Sequence, residues 1–240
     1  MAELICIGCG PGDPELLTVK GVKAIRNADV IMCPTSKEGK TSIAYSIISS
    51  VINDSKKPEV MNLVFPMVKD EKTLENTWEK NAKAIADVIK SGKNVVYLTV
   101  GDPSLYSTWI YLQRELKSKY PEIKITVIPG IVSMFAFASK VGISIAEGDE
   151  TVAVIPACYD LSRVKETARN CDTMVFLKDG RYFDQVIKLL KEAGFSDNSL
   201  FAIAQDVGTS EEIVKKLTLG EVTKETFTNK YFSIMVVKRA

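Results

Sequence analysis

The chain has 240 residues, a formal net charge of +1 and a hydrophobic fraction of 46%. This charge balance argues against nucleic acid as the main partner, and no apolar run reaches the roughly 18 residues that a membrane helix needs. The sequence contains no histidine. Hydrolases with a histidine base are therefore excluded, and any proton transfer must use a carboxylate, tyrosine, lysine, water or the substrate.

The first predicted strand, Glu3 to Ile7, leads into the glycine-rich turn Gly8 to Pro14. This turn resembles a dinucleotide-binding fingerprint, but Asp13 stands where the third glycine would fall and Pro11 removes a backbone donor. Asp13 before Pro14 also fits a helix N-terminus, so a capping role and a site role for Asp13 both stay open.

The next stretch contains part of a nucleotide-triphosphate motif. Gly39-Lys40-Thr41 fits its end, but the motif requires a glycine where this chain has Pro34, so we interpret the segment as a surface loop. The elements predicted on either side, by apolar periodicity, are a strand at Asp29 to Cys33, a helix at Ile43 to Val51, a strand at Val60 to Phe65 and a helix at Asp70 to Ser91.

The most informative stretch is NVVYLTVGDPSLYSTW, from Asn94 to Trp109. Val95 to Thr99 predicts a strand buried on both faces, and a helix is expected over Leu105 to Tyr120. Ligands of open α/β sheets bind beyond the carboxyl ends of strands, so Gly101 to Tyr106 is the predicted site. Asp102 is either an N-cap, which asparagine would replace at little cost, or a positioning group. Trp109 is expected in the core and Tyr106 in the site.

The remaining elements predict a fold of two α/β domains, with a parallel N-terminal sheet and a mixed C-terminal sheet. We place the boundary near Tyr120 to Lys124, which gives domains 1–122 and 123–240. A strand at Ile123 to Ile128 precedes the turn Pro129 to Ser133. The later predicted strands are Thr151 to Ile155, Thr173 to Leu177, Leu200 to Ala204 and Tyr231 to Val237, the helices are Leu161 to Cys171, Phe183 to Ala193 and Glu211 to Lys216, and a hairpin is expected between Thr218 to Val222 and Thr226 to Arg239.

The five cysteines favour buried thiols in a reducing compartment. Cys6 and Cys9 form a CxxC pair, but Cys33, Cys158 and Cys171 supply no second pair with zinc-site spacing. We therefore predict no metal site. The N-terminus lacks a basic segment and a cleavage pattern, which predicts a cytoplasmic protein.

Three motifs in order, GCGPGDPELLT, GDPSLYST and PGIVSMFAFASKVG, resemble the tetrapyrrole (corrin/porphyrin) methyltransferases over essentially the whole chain. With EGDETVAVIPA they are most similar to the branch that methylates C-20 of precorrin-2 or cobalt-factor II in cobalamin biosynthesis. The uroporphyrinogen branch has GGDPF, where this chain has Val100 before GDPS. Diphthine synthases have GDPLVAT and NASI, which PGIVS does not match.

The resemblance implies a homodimer that binds S-adenosylmethionine as co-substrate in a cleft between two domains and a tetrapyrrole as acceptor. The implied cofactor-binding residues are Gly101, Asp102, Leu105, Tyr106, Val132, Ser133, Leu177 and Val207. The turn of Gly10, Pro11, Gly12 and Asp13 would border the tetrapyrrole. Asp102 is the candidate catalytic residue, in a positioning role.

Lys178 and Arg181 could contact tetrapyrrole carboxylates, although a solvated turn explains both as well. Two alternatives keep other functions open: a methyltransferase of the same fold acting on another tetrapyrrole carbon or on a different acceptor, and a non-catalytic cofactor-binding module.

Overall fold

The computed structural model describes residues 2–52, 57–68, 70–156, 160–178, 182–207, 209, 211–226 and 233–240. Its contacts divide the chain into two units, Met1–Val132 and Ser133–Ala240. The elements of the first unit are β1 (Leu4–Gly8), α1 (Val19–Asn27), β2 (Val30–Thr35), α2 (Ile43–Ile48), β3 (Glu59–Val64), α3 (Glu71–Lys90), β4 (Val95–Thr99), α4 (Trp109–Lys119) and β5 (Ile125–Ile128).

The five strands of the first unit form a parallel sheet in the order β3-β2-β4-β1-β5. All five residues of β4 are buried, as expected of a strand covered on both faces. Successive side chains of β1 point to opposite faces: Leu4 and Cys6 join one hydrophobic cluster, and Ile7 joins another. The sheet therefore lies between two apolar layers, and its carboxyl edge is left for the turns.

The division between the units falls later in the chain than the sequence suggested. The sequence placed residues 123–240 in the second domain, but β5 pairs with β1 in parallel, from Leu4 opposite Ile125 to Ile7 opposite Ile128. We therefore move the boundary to the step between Val132 and Ser133. The β5 run, of four residues, is too short to reveal from the sequence which sheet it joins.

The second unit contains a mixed sheet in the order β6-β7-β10-β8-β9. β6 and β7 are parallel, and the other neighbouring pairs are antiparallel. The two sheets confirm the predicted fold class. The elements are α5 (Ser133–Val141), β6 (Val152–Ile155), α6 (Leu161–Arg169), β7 (Thr173–Leu177), α7 (Phe183–Glu192), β8 (Leu200–Gln205), β9 (Ile213–Thr218) and β10 (Ser233–Lys238).

Two predictions for the C-terminal part are wrong. The expected helix at Glu211 to Lys216 is replaced by β9, which forms an antiparallel pair with β8. A helix of only six residues is unstable on its own. Pairing with β8 instead gives the backbone amides and carbonyls of this segment hydrogen-bond partners. The expected tail hairpin is also absent from the described residues: β10 pairs with β7 and β8, and Leu219–Glu221 is a 3-10 helix. Residues 227–232 of that predicted hairpin lie outside the described residues.

Among the helices that the described ranges contain, none combines the length and apolar character of a membrane span.

Candidate active site

Three turns meet at the carboxyl edge of the first sheet, after β1, β4 and β5. Gly10 and Gly101 form an isolated bridge, in which the Gly101 amide donates to the Gly10 carbonyl at 2.8 Å and the Gly10 amide donates back at 3.2 Å. The Cys9 amide also donates to the Thr99 carbonyl at 2.8 Å. The turn after β1 is thus held against the turn after β4.

Glycine is required where these backbones touch. A Cβ atom on Gly8 would lie 2.5 Å from the Gly130 nitrogen and 2.6 Å from the Gly101 oxygen, and one on Gly130 would clash with that same Gly101 oxygen. Gly101 differs, because a Cβ there would meet nothing within 4 Å, and its φ is +70°. Gly8 and Gly130 therefore permit packing, whereas the Gly101 backbone faces open space that a ligand can approach.

Asp102 joins two of these turns. One carboxylate oxygen, Oδ1, accepts hydrogen bonds from the Ser104 amide at 2.8 Å and from the Ser104 hydroxyl. The other, Oδ2, accepts from the Gly130 amide at 2.9 Å. Partial burial raises the pKa of Asp102, but the bonds from Ser104 and Gly130 outweigh burial and hold that pKa below its usual value. Asp102 is thus a carboxylate that fastens the turn after β4 to the turn after β5.

The capping interpretation of Asp102 is wrong. Helix α4 begins at Trp109 with Thr108 as its N-cap, and the turn from Asp102 to Ser107 is not helical. Two hydroxyl pairs explain the late start: Thr99 Oγ1 lies 2.8 Å from Ser107 Oγ, and the Tyr97 hydroxyl lies 3.3 Å from Thr108 Oγ1. Both pairs fasten the turn to β4.

Tyr106 lies at the apex of this fastened turn. Its φ is +49°, a left-handed conformation that is rare for a bulky residue, and it is 42% exposed. Trp109, by contrast, is 2% exposed and packs against Tyr97 with ring centroids 5.4 Å apart, which confirms the predicted core position. Leu105 is half-buried.

The turn after β1 contains the four residues predicted to border the acceptor. Gly10 forms the bridge to Gly101, while Pro11 and Gly12 are half-buried. Asp13 accepts a hydrogen bond from the Glu15 amide at 2.8 Å and caps the 3-10 helix Pro14–Leu16. The longer helix expected from Asp13 is divided in two, because Thr18 caps α1 separately through the Gly21 amide at 3.0 Å. The capping role of Asp13 is therefore present, whereas its site role stays a prediction.

The remaining predicted cofactor residues follow later strands or lie near the unit boundary. Val132 is the last residue of the first unit, and Ser133 begins α5. Leu177 is buried at the end of β7 opposite Ile234, and Val207 follows β8. Since β7 and β8 both run antiparallel to β10, Leu177 and Val207 lie at the same edge of the second sheet.

Lys178 follows Leu177 and is not in a fully solvated turn. It is half-buried with a φ of +63°, and its amide donates to the Ser233 carbonyl at 3.0 Å. Burial lowers the pKa of its amino group. Arg181, the other candidate contact for carboxylates, lies outside the described residues.

An apolar groove of about 540 Å³ lies within the second unit. It unites two of the motifs that carry the family resemblance, since Met134, Phe135 and Ala138 come from PGIVSMFAFASKVG and Val152 and Val154 come from EGDETVAVIPA. These stretches therefore share a local packing environment on α5 and β6.

The described cysteines suit the predicted packing role. Cys6, Cys9 and Cys33 are buried free thiols, and burial raises the pKa of Cys9 and Cys33 to about 12. A thiol so rarely ionised is a poor nucleophile and metal ligand. Within the described ranges, no group of three or more cysteine, aspartate or glutamate side chains is arranged to hold a metal ion. Cys158 lies outside those ranges.

The sequence reasoning missed Gly8, Gly130 and the hydroxyls of Thr99 and Ser107 as parts of the site. Gly130 carried a signal, because it follows Pro129 directly after a predicted strand, as Gly101 follows β4. No sequence signal marked the contact between Thr99 and Ser107, since serine and threonine are common in turns.

Comparison with known proteins gives matches along nearly the whole chain. The sequence model of the family described as Tetrapyrrole (Corrin/Porphyrin) Methylases matches residues 3–223. A Methanocaldococcus jannaschii protein named probable cobalt-precorrin-2 C(20)-methyltransferase is 34% identical over 97% of this chain and 94% of its own length. A Sinorhizobium protein named precorrin-2 C(20)-methyltransferase is 28% identical over 99% of this chain and 95% of its own.

Solved structures share the fold at lower identity. A cobalt precorrin-4 methyltransferase superposes with a TM-score of 0.72 at 22% identity, over 98% of this chain and 94% of that one. A Thermus thermophilus uroporphyrin-III C-methyltransferase, complexed with S-adenosylhomocysteine, gives a TM-score of 0.66 at 18% identity, over 99% of this chain and 97% of that one.

Proposed function

Because this chain belongs to the tetrapyrrole (corrin/porphyrin) methylase family, we propose that it transfers one methyl group from S-adenosylmethionine to C-20 of a precorrin-2-type macrocycle in cobalamin biosynthesis. The observation that carries the position is the 34% identity, over 97% of the chain, with a protein named for C-20 methylation of cobalt-precorrin-2. We assign the cobalt-bearing macrocycle as the natural acceptor on the same ground.

The transfer needs alignment more than a strong base. S-adenosylmethionine supplies a methyl group on a positively charged sulfur. As the electron pair of the acceptor carbon forms the new carbon–carbon bond, the pair of the sulfur–methyl bond returns to sulfur, and the carbon then loses its proton to solvent. An activated donor and an electron-rich carbon suit a chain without histidine.

The chain's own residues fit a role in holding the donor. A side chain at Gly101 would meet nothing within 4 Å, so a ligand can approach its Cα closely while its amide and carbonyl stay bonded to Gly10. Asp102, held ionised by Ser104 and Gly130, places a negative charge beside that space, where it favours a cationic donor. We propose that Gly101, Asp102, Leu105, Tyr106 and Val132 of the first unit, with Ser133, Leu177 and Val207 of the second, contact the cofactor.

The acceptor would lie against the turn of Gly10, Pro11, Gly12 and Asp13. The bridge between Gly10 and Gly101 supports this proposal, because it keeps the turn next to the backbone assigned to the donor. A methyl donor and its acceptor must lie within contact distance for reaction.

The decisive experiment identifies the methylated carbon. The purified protein is incubated with methyl-labelled donor and with metal-free or cobalt-loaded dimethylated tetrapyrrole, and the product is examined by mass spectrometry and carbon NMR. One added methyl group at the bridge carbon C-20 supports the proposal, with faster turnover for the cobalt form. A methyl group on another carbon, or none on either acceptor, would reject it.

We also propose that the protein acts as a homodimer in the cytoplasm. The family resemblance supports the dimer, and the buried free thiols of Cys6, Cys9 and Cys33 suit a reducing compartment. Light scattering after size-exclusion chromatography should give twice the 26.4 kDa mass of the chain, and a single-chain mass would contradict the dimer. Fractionation of the source cells tests the compartment.

A further inference from the structure

A short apolar loop follows β3 at the carboxyl edge of the first sheet. Residues 65–68 read Phe-Pro-Met-Val, which are four apolar residues in succession. Met67 is 73% exposed and Val68 is 44% exposed, so the loop presents apolar surface outward. Single exposed hydrophobic residues are ordinary in folded proteins, but a run of adjacent ones is typical of a contact surface.

The loop is held in place on both sides. At its start, the Asn81 side chain, which is 5% exposed, donates to the Val64 carbonyl at 3.0 Å. The Phe65 amide donates to the Thr35 carbonyl at 2.8 Å, and beyond the loop Asp70 caps α3. A buried amide side chain thus fixes the end of β3, and the outward direction of the apolar residues is part of the fold.

A buried hydroxyl group next to the loop is a second sign of a ligand at this end of the sheet. Thr35 is 7% exposed, and its Oγ1 atom has no hydrogen-bond partner within the described part of the chain. Burial of such a group is unfavourable. The other two hydroxyls of this kind among the described residues, on Thr173 and Ser199, lie where β7 begins and just before β8. Of the three, Thr35 alone ends a strand, and ligands of open α/β sheets bind at that end.

The loop lies on the same edge as the turns assigned to the two substrates. The strands of the first sheet are parallel and ordered β3-β2-β4-β1-β5. The loop is therefore two strand spacings, about 10 Å, from the turn after β4, and three spacings, about 14 Å, from the turn after β1. A broad macrocycle with side chains around its rim can span such distances along the edge.

We propose that Met67 and Val68 form an apolar contact for the tetrapyrrole acceptor. This inference rests on the proposed function, which supplies a macrocycle with apolar ring faces. Methionine is unbranched and flexible, and its sulfur makes favourable contacts with conjugated rings, so it adapts to the uneven surface of a substituted macrocycle. Binding then buries apolar side chains that the free chain exposes, and it holds the acceptor at a point away from the reacting carbon.

The test exchanges apolar surface for polar surface of nearly the same shape. Val68→Thr changes one methyl group to a hydroxyl, and Met67→Gln keeps the length of the side chain. Since both positions are exposed, the melting temperature of the double variant should not fall appreciably. Val60→Thr is the matched control, because Val60 is 41% exposed near the other end of β3 and receives the same change as Val68.

Three measurements separate the possible occupants of the loop. Absorbance titration with dimethylated tetrapyrrole measures acceptor affinity, calorimetry with S-adenosylhomocysteine measures affinity for the donor's product, and light scattering measures the oligomeric state. Met67→Gln combined with Val68→Thr should bind the tetrapyrrole about tenfold or more weakly, and should bind S-adenosylhomocysteine like the wild type. Its oligomeric state should not change. Val60→Thr should bind both probes like the wild type.

Unchanged tetrapyrrole affinity in the folded double variant overturns the inference, as does an equal loss in Val60→Thr. Weaker binding of S-adenosylhomocysteine alone would assign the loop to the donor, and a changed oligomeric state alone would assign it to a second copy of the chain, so both contradict the inference. Failure of the proposed function is distinct. A methyl group on a carbon other than C-20 leaves the affinity comparison intact, whereas a wild-type protein that does not bind the tetrapyrrole overturns both.

Discussion

At Asp102 the two carboxylate oxygens have different partners, and this arrangement changes what a conservative substitution should do. The sequence left two roles open for Asp102: an N-cap, where asparagine would replace aspartate at little cost, and a positioning group. Instead, Oδ1 accepts from Ser104 and Oδ2 accepts from the Gly130 amide at 2.9 Å. An asparagine that keeps the Ser104 bond turns its own amide group toward the Gly130 donor, so two donors face each other.

We therefore expect Asp102→Asn to lower the free energy of unfolding by about 1–3 kcal/mol, as for a hydrogen-bonded group left without its partner. Affinity for S-adenosylhomocysteine, or turnover, should fall at least about tenfold. Urea denaturation and calorimetric titration provide the two measurements. The matched control is Asp70→Asn, because Asp70 caps α3 through the Thr73 amide at 2.8 Å, a role that asparagine fulfils. Equal small effects at both positions would contradict the proposed connection between turns.

The same carboxylate makes stability depend on pH in a defined direction. Because the pKa of Asp102 is lower in the folded chain than its usual value, its contribution is present above about pH 4 and is lost as the pH falls through the folded pKa. The stability difference between wild type and Asp102→Asn should be constant from pH 6 to 7 and shrink at acid pH. Melting curves from pH 3 to 7 measure it, and a difference that is independent of pH would count against an ionised Asp102.

At the scale of elements, the close approach of three turns depends on residues without side chains. Alanine at position 130 would place a Cβ against the Gly101 oxygen and the backbone of Gly8, and backbone atoms cannot move aside as the end of a flexible side chain can. Gly130→Ala should therefore lower the free energy of unfolding by more than about 3 kcal/mol, at the upper end for point mutants.

The control for Gly130→Ala is Gly39→Ala, in the loop before α2. Gly39 has a φ of +72° and open space around it, so alanine there suffers only the backbone strain of about 1 kcal/mol. Urea denaturation of both variants, with methyl transfer as a second measurement, should show a severe defect only for position 130. Equal free energies of unfolding for Gly130→Ala and Gly39→Ala would contradict the close packing of the three turns.

The sequence predicted most elements but not the contacts that shape the site. β4, β7 and the long α3 were predictable because their patterns are long or uniformly apolar. The start of α4 was not: the local signal Asp102-Pro103 favours a helix there, but two hydroxyl pairs, Thr99 with Ser107 and Tyr97 with Thr108, fasten the turn to β4. For β9, the pattern EEIVKK fits a short helix, yet pairing with β8 decides its structure. In each case a partner outside the segment overrides the local preference.

At the scale of the whole molecule, ligand choice is a testable consequence of the motifs. We expect calorimetric titration to show saturable binding of S-adenosylmethionine and no binding of NAD or ATP. Asp13 replaces the third glycine of the dinucleotide fingerprint, and Pro34 replaces the first glycine of the triphosphate loop. Saturable NAD binding without a response to the methyl donor would refute the assignment.

The strand order of the second sheet has a consequence for the protein's synthesis. β10 is the latest of the described strands in sequence, yet it lies in the middle, between β7 and β8. Arg239, just after it, donates to the carbonyls of Ala168, Cys171 and Ala193, at the ends of α6 and α7, and lies over the Phe195 ring. During synthesis on the ribosome, the β6-β7 pair and the β8-β9 pair therefore cannot join into one sheet until β10, the strand between them, has been made. The sheet closes only after residue 239 has left the exit tunnel, so a stalled or shortened chain exposes two unpaired strand edges that promote aggregation.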